Sequence, residues 1–173
     1  MQKNESFDAK DVSRNVDCQY RVYAQSGEFY FIYLGGLGQT ARVVTAQFGL
    51  IGALIGSAMK KRAQKQADAV LQRAEGQDLE TLLRENKKSF KVYIPEITEA
   101  VMEPPALFAM HGKQTGRWNF KLRDGKKFRF EFETIEAMQA AMNLLPRLLN
   151  ATLHVNAEWN EPKKKFQKKK TPC

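Results

Sequence analysis

Cysteine and histidine are scarce in this chain, with two of each among 173 residues. Cys18 and Cys173 stand at opposite ends without a C-x-x-C spacing, which argues against a disulfide framework or a thiolate metal site and makes a reducing compartment the default. His111 and His154 carry no H-x-x-x-H or H-E-x-x-H spacing, so each reads as an ordinary polar strand residue. The G-x-S-x-G, Walker and paired Cys–His signatures are also missing. Glu96, Glu99 and Glu103 alternate along one strand and do not converge, so solvated faces explain them. The expectation is a protein that is not an enzyme, with no cofactor and no metal. The opening MQKNESFDAKDVSRN lacks the apolar core of a signal peptide, which places the expected location in the cytoplasm. Thr171-Pro172-Cys173 sets the cysteine too late for a prenylation box.

Acidic residues are outnumbered, 19 Asp and Glu against 28 Lys and Arg, for a formal charge of +9. The last thirteen residues hold six Lys and one Glu, or +5, and the remainder carries 22 basic against 18 acidic residues, or +4. Most of the basic excess therefore belongs to a tail, and charge does not require the folded part to bind nucleic acid.

What the chain does have is apolar material: 43% hydrophobic residues, including 11 Phe, 5 Tyr and 2 Trp, enough for one real core. Residues 1–16 are polar and read as a flexible N-terminal arm. Asp17 to Ala24 and Glu28 to Leu34 form a predicted hairpin, and the second strand is apolar on both faces, so it is expected to be covered on both sides. Asp78 caps a predicted short helix whose Leu79, Leu82 and Leu83 share a face. Strand patterns return over Phe90 to Ile94, Ile97 to Met102 and Ala106 to His111. A capped helix with the seam Ile135, Met138, Met142, Leu145 and Leu149 follows, and one further strand is expected over Leu153, Val155, Ala157 and Trp159.

Parity settles the register of the hairpin from Arg117 to Glu133. A two-residue Asp124-Gly125 loop would oppose Leu122 to Lys127 and mix apolar with charged side chains on one face. A three-residue loop, Arg123-Asp124-Gly125 with a left-handed Gly125, instead pairs Phe120 with Phe128, Trp118 with Phe130 and Arg117 with Glu131.

The most unusual stretch is Val43 to Ala74, a long helix expected to form an insertion at about 43–86. Thr45, Gly49, Gly52, Gly56, Ala63, Ala67, Val70 and Ala74 fall on one stripe of small side chains, implying close approach of another backbone. Its first 17 residues, to Met59, are uncharged and include Phe48, Ile51 and Ile55; Lys60, Lys61, Arg62 and Lys65 follow at once. Three readings stay open: burial against the same chain, self-association with a second copy, or contact with a membrane, whether inserted or spanning. The segment 161–173 reads as a disordered polybasic tail. Its Lys163, Lys164, Lys165, Lys168, Lys169 and Lys170 would be drawn to anionic lipid, or nonspecifically to nucleic acid, the less favoured partner.

The segment SFKVYIPEITEAVMEPP…GRWNFKLRDGKKFRFEFETIEAMQAAMNLL resembles the second half of a bacterial pleckstrin-homology-like (PH-like or GRAM-type) domain. The shared features are the Ile94-Pro95-Glu96-Ile97 step, a penultimate strand ending in Asp124-Gly125-Lys126, an aromatic last strand and an amphipathic helix, over about 17–34 and 88–149. The resemblance implies an α+β fold over 17–160, a PH-like partly open β-barrel closed by a C-terminal helix, and a non-catalytic module that binds lipids, peptides or proteins. The first hairpin loop, Ala24 to Glu28, lacks Lys and Arg, so an inositol-phosphate pocket is not implied there. The functional expectation is a binding or scaffolding module at the inner face of the membrane, with Gly49, Gly52, Gly56, Phe48, Ile51 and Ile55 as the packing or membrane contact and the lysine clusters as the anionic-partner contact. The rival expectation is a structural homo-oligomer joined by the glycine stripe.

Overall fold

The hairpin that parity determines is also the centre of the structure. In the computed structural model, which describes residues 5–13, 18–36, 65, 68–69, 72, 78–105 and 115–169, Phe120 pairs with Phe128, Trp118 with Phe130 and Arg117 with Glu131. Gly125 has φ +88° and closes the turn in the left-handed region as expected. Alternation along β6 (Arg117–Leu122) and β7 (Lys127–Glu131) sends Trp118, Phe120 and Phe130 into the core and Lys121, Lys127 and Arg129 outward.

Around it the described chain runs β1 (Ser6–Asp11), β2 (Cys18–Gln25), β3 (Glu28–Gly35), α1 (Leu79–Glu85), β4 (Phe90–Tyr93) and β5 (Ile97–Glu103), then β6 and β7. It continues through α2 (Ile135–Leu149), β8 (Leu153–Val155), β9 (Ala157–Asn160) and β10 (Lys165–Lys168). Eight strands form one mixed sheet in the order β4-β3-β2-β1-β7-β6-β5-β8, and β9 and β10 form a separate hairpin. The large sheet curls so that Phe31 of β3 stacks on Phe90 of β4 at 4.5 Å and on Phe130 of β7 at 5.1 Å. Trp118 and Phe29 meet edge to face at 5.5 Å in the same interior.

The expected α+β barrel closed by a C-terminal helix is not found. Among the described residues the structure is predominantly β, with ten strands, two α-helices and no closed barrel. The physical reason lies at the free side of β5, which is taken by β8 in parallel, Ala100 opposite Leu153 and Met102 opposite Val155. β4 and β5 are joined by a single 3₁₀ turn, Ile94–Glu96, and do not pair with each other. The helix capped by Thr134 is present, its Oγ1 accepting from Ala137 N at 3.1 Å. It is not the closing element, because three strands follow it. Its buried side chains are Ala137, Met138, Ala141, Leu144, Leu145 and Leu149, so the seam is turned from Ile135 and Met142 toward the small alanines, which let the helix approach β1 closely.

Three further expectations are corrected. Residues 6–11 are no arm but an inner strand between β2 and β7, with Phe7, Ala9 and Asp11 buried. The strand anticipated over Leu153 to Trp159 is two, broken at Asn156, whose N–H donates to Met102 O and whose carbonyl accepts from Lys169 N. The tail is ordered as β10 over Lys165–Lys168. The long helix over 43–74 and the strand over 106–111 fall largely or wholly outside the described residues. The helix described in full within 43–86 is the seven-residue α1.

β3 is covered on both faces, as its sequence requires. Phe29 and Phe31 enter the main core, while Tyr30 and Ile32 lie under Leu79 and Leu82 of α1. A charged latch holds α1 there. Lys91 Nζ lies 2.8 Å from Glu80 and 3.2 Å from Glu28, and Tyr30 Oη donates to both carboxylates. Burial, then the hydrogen bond to Glu28, pushes the Tyr30 phenol far above its ordinary range; the hydrogen bond from Lys91 holds Glu80 below its own.

Candidate functional site

Of the residues singled out for helix packing or membrane contact, Gly49, Gly52, Gly56, Phe48, Ile51 and Ile55 lie outside the described residues, as do Lys60, Lys61, Arg62 and Lys170. Lys65 is helical and exposed. Among the described residues no helix is long and apolar enough to cross a membrane. No group of three or more potential metal ligands occurs among them either. His154 is exposed on β8.

The remaining candidates, Lys163, Lys164, Lys165, Lys168 and Lys169, are brought together on the β9–β10 hairpin, and all five are exposed. The hairpin is anchored from within. Phe166 is buried in the main core with Ala157, and its ring meets Trp159 at 5.0 Å. The turn at 161–164 places Lys164 at φ +45°, and Lys163 N donates to Asn160 Oδ1. Neutral donors take up the hairpin's own acids: the Trp159 indole donates to Glu161, and Gln167 Nε2 donates to Glu158 at 2.7 Å. No ion pair to these five lysines occurs among the described residues. The hairpin, pinned by Phe166, thus carries five exposed lysines that have no ion-pair partner among the described residues.

A second cationic site was not singled out from the sequence. It occupies the outer face of β5, β6 and β7, where alternation lines up polar side chains in cross-strand rows. Toward one end the charges neutralise one another. Arg117 Nε lies 3.1 Å from Glu131, Lys10 Nζ lies 3.6 Å from Glu133, and Asn119 Nδ2 donates to Glu103 at 2.8 Å. Toward the other end Lys121 stands directly opposite Lys127, with Arg129 two positions along β7 opposite Asn119. None of these three cations has an ion-pair partner among the described residues. Lys126, in the adjoining turn, does have one: it contacts Asp124 at 2.8 Å and holds that carboxyl below its usual range.

These residues border an open groove of about 470 Å³, whose walls also include Val12, Ser13, Glu99 and Val101. Asn119 Oδ1 is shielded from solvent and has no hydrogen-bond partner among the described residues. The signal for this site was present in the sequence, since the register that pairs Phe120 with Phe128 necessarily pairs Lys121 with Lys127. No protein-family model, no curated protein and no solved structure matches the chain. The resemblance to PH-like domains thus rests on its short motifs alone.

Proposed function

We propose that the protein is a non-catalytic binding module that docks peripherally on an anionic membrane surface, at the cytoplasmic face, through the β9–β10 hairpin. The observation that carries this reading is the set of five exposed lysines, without carboxylate partners among the described residues, on a hairpin pinned by a buried Phe166. Each lysine near an anionic bilayer contributes roughly 1 kcal/mol, so a fixed group of them gives reversible attachment without insertion. Anchoring by Phe166 means that the charges are already clustered before contact, which lowers the ordering cost on binding. Lipid is favoured over nucleic acid by the orientation of the aromatics. Single-stranded nucleic acid binds on exposed stacking rings, whereas Phe166 is buried and Trp159 is partly buried with its N–H engaged by Glu161.

Sedimentation with vesicles tests the proposal. Vesicles containing phosphatidylglycerol should retain the full chain, with retention falling as salt rises, and pure phosphatidylcholine vesicles should not. Replacing Lys163, Lys164 and Lys165 with Glu should abolish retention while leaving the melting temperature within a degree or so, as is usual for exposed surface positions. Equal retention on both vesicles, or preferential binding to single-stranded DNA over phosphatidylglycerol, overturns it.

A further inference from the structure

β4 is an outer strand of the large sheet, bonded to β3 on one side and to no described strand on the other. We infer that this edge joins two copies of the chain: β4 pairs antiparallel with its counterpart about a two-fold axis at Val92, so that Lys91 of each copy lies opposite Tyr93 of the other.

The hydrogen-bond register determines which groups the edge offers. Ile94 N donates to Gly27 O, in register with Val92 opposite Phe29 and Phe90 opposite Phe31, so the main-chain groups of Phe90, Val92 and Ile94 are directed at β3. Those of Lys91 and Tyr93 therefore point out of the sheet. Neither N–H has a partner among the described residues, and both side chains are exposed. The Tyr93 carbonyl also opens the 3₁₀ turn Ile94–Glu96, which leaves the Lys91 carbonyl as the free acceptor. Pairing centred on Val92 gives each Tyr93 N–H the Lys91 carbonyl of the second copy. It also keeps the faces in phase, with Lys91 meeting Tyr93 outside while Val92 meets Val92 and Phe90 meets Ile94 on the core side. A one-residue slip would set Lys91 against Val92 and lose that match.

This self-complementarity is what commits the edge to a second copy rather than to an unrelated extended segment. An exposed lysine ordinarily protects an edge from pairing, but Lys91 is neutralised within its own chain by Glu80 at 2.8 Å and Glu28 at 3.2 Å, so the two-fold brings no bare charges together. Tyr93, 52% exposed, is the one exposed large hydrophobic residue among the described residues, and the Lys91 stem of the second copy would cover its ring. The two β3 strands would stand three strand spacings apart, about 14 Å, which leaves room for both α1 helices at about 10–12 Å in diameter. The other outer strand, β8, offers less: it is three residues long and ends at Asn156, whose N–H and carbonyl are taken by Met102 and Lys169. A ladder as short as β4 buries less than the roughly 1,200 Å² of a standard interface, so the dimer is a reversible one.

Sedimentation velocity of the full chain over a concentration series tests the assignment, with amide exchange read residue by residue at both ends of the series. A monomer–dimer equilibrium is expected. The Tyr93 amide should gain protection as the dimer forms, while the Val92 and Ile94 amides, bonded to β3, are protected throughout. Tyr93→Pro removes the outward donor and nothing that β3 uses, and the Tyr93 φ of −75° already suits proline. It should raise the dissociation constant about tenfold or more, and it should melt close to the parent at concentrations where both are monomeric. Tyr93→Ala, which keeps the N–H, should weaken the dimer less. The hairpin variant with Lys163, Lys164 and Lys165 replaced by Glu should dimerise like the parent, which separates this edge from membrane docking. A monomeric mass at every concentration, a dimer unaffected by Tyr93→Pro, or a Tyr93 amide whose exchange ignores concentration would each overturn the inference.

Discussion

Two halves of one sheet face that share β5, β6 and β7, one of them also including Lys10 of β1, treat charge in opposite ways. In the half running through Glu103, Arg117, Glu131 and Lys10, cations and carboxylates alternate across the strands, and Arg117 and Glu131 close to 3.1 Å. In the half holding Lys121, Lys127 and Arg129 the one facing acid among the described residues is Glu99, opposite Lys121, and Lys121 and Lys127 confront each other. Both halves rest on the same inner layer of Trp118, Phe120 and Phe130, so packing does not explain the difference. A sheet selected for stability alone would pair its cross-strand charges throughout. The contrast teaches that one sheet face can carry both a neutralised half and a half with a like-charge cross-strand pair, because both rest on the same buried aromatic layer.

The largest effect should come from removing the layer that both halves share. Phe120→Ala, at a position only 3% exposed and stacked on Phe128 at 4.9 Å, should cost on the order of 3–5 kcal/mol in denaturant unfolding. An unchanged midpoint would mean that the hairpin register is wrong. Next in size, Glu131→Gln in the neutralised half should lower stability by about 1 kcal/mol, since Glu131 is mostly buried beside Arg117. Lys127→Glu should do the reverse in the cationic half. By turning a repulsive pair into an attractive one opposite Lys121, it should raise stability by roughly 0.2–1 kcal/mol in the same unfolding measurement. If both substitutions shift the melting temperature in the same direction, the contrast between the halves has no energetic content.

The smallest effect concerns the paired charges on the far side of β3, where Glu80 joins α1 to Lys91. A carboxyl whose folded pKa is held below its unfolded value stabilises above that unfolded value, and the contribution is lost as pH falls through the folded pKa. Glu80 is such a group, held down first by the hydrogen bond from Lys91. The protection factors of the α1 amides, each referred to the intrinsic exchange rate at the same pH, should therefore fall as pH drops through and below the carboxylate range, and Glu80→Gln should remove most of that dependence with little change at neutral pH.

The alternation of Trp118, Phe120 and Leu122 with Phe128 and Phe130 was sufficient to determine the β6–β7 register, because a one-residue slip would have placed charge in the core. Thr134 as a cap, Leu79 and Leu82 as a buried pair, and the two-sided burial of β3 were legible for the same reason: each depends on neighbours within a few residues or on the period of a single element. Closure of the sheet was not legible. It was decided by β8 pairing in parallel with β5 across some fifty residues, Ala100 opposite Leu153, and no local pattern records which strand takes an open edge. β1 was hidden because Phe7 is its one large apolar residue; Ala9 is buried beneath an approaching helix and Asp11 by tertiary contacts. The lysines after Pro162 looked like a solvated tail until Phe166 found a place in the core. The sequence by itself thus determined the local registers, caps and faces, where short-range sterics and burial leave one choice. Only the tertiary structure decided which edges pair, which lysines gather on a hairpin and which cations are left without acids, because those outcomes depend on contacts between residues far apart in the chain.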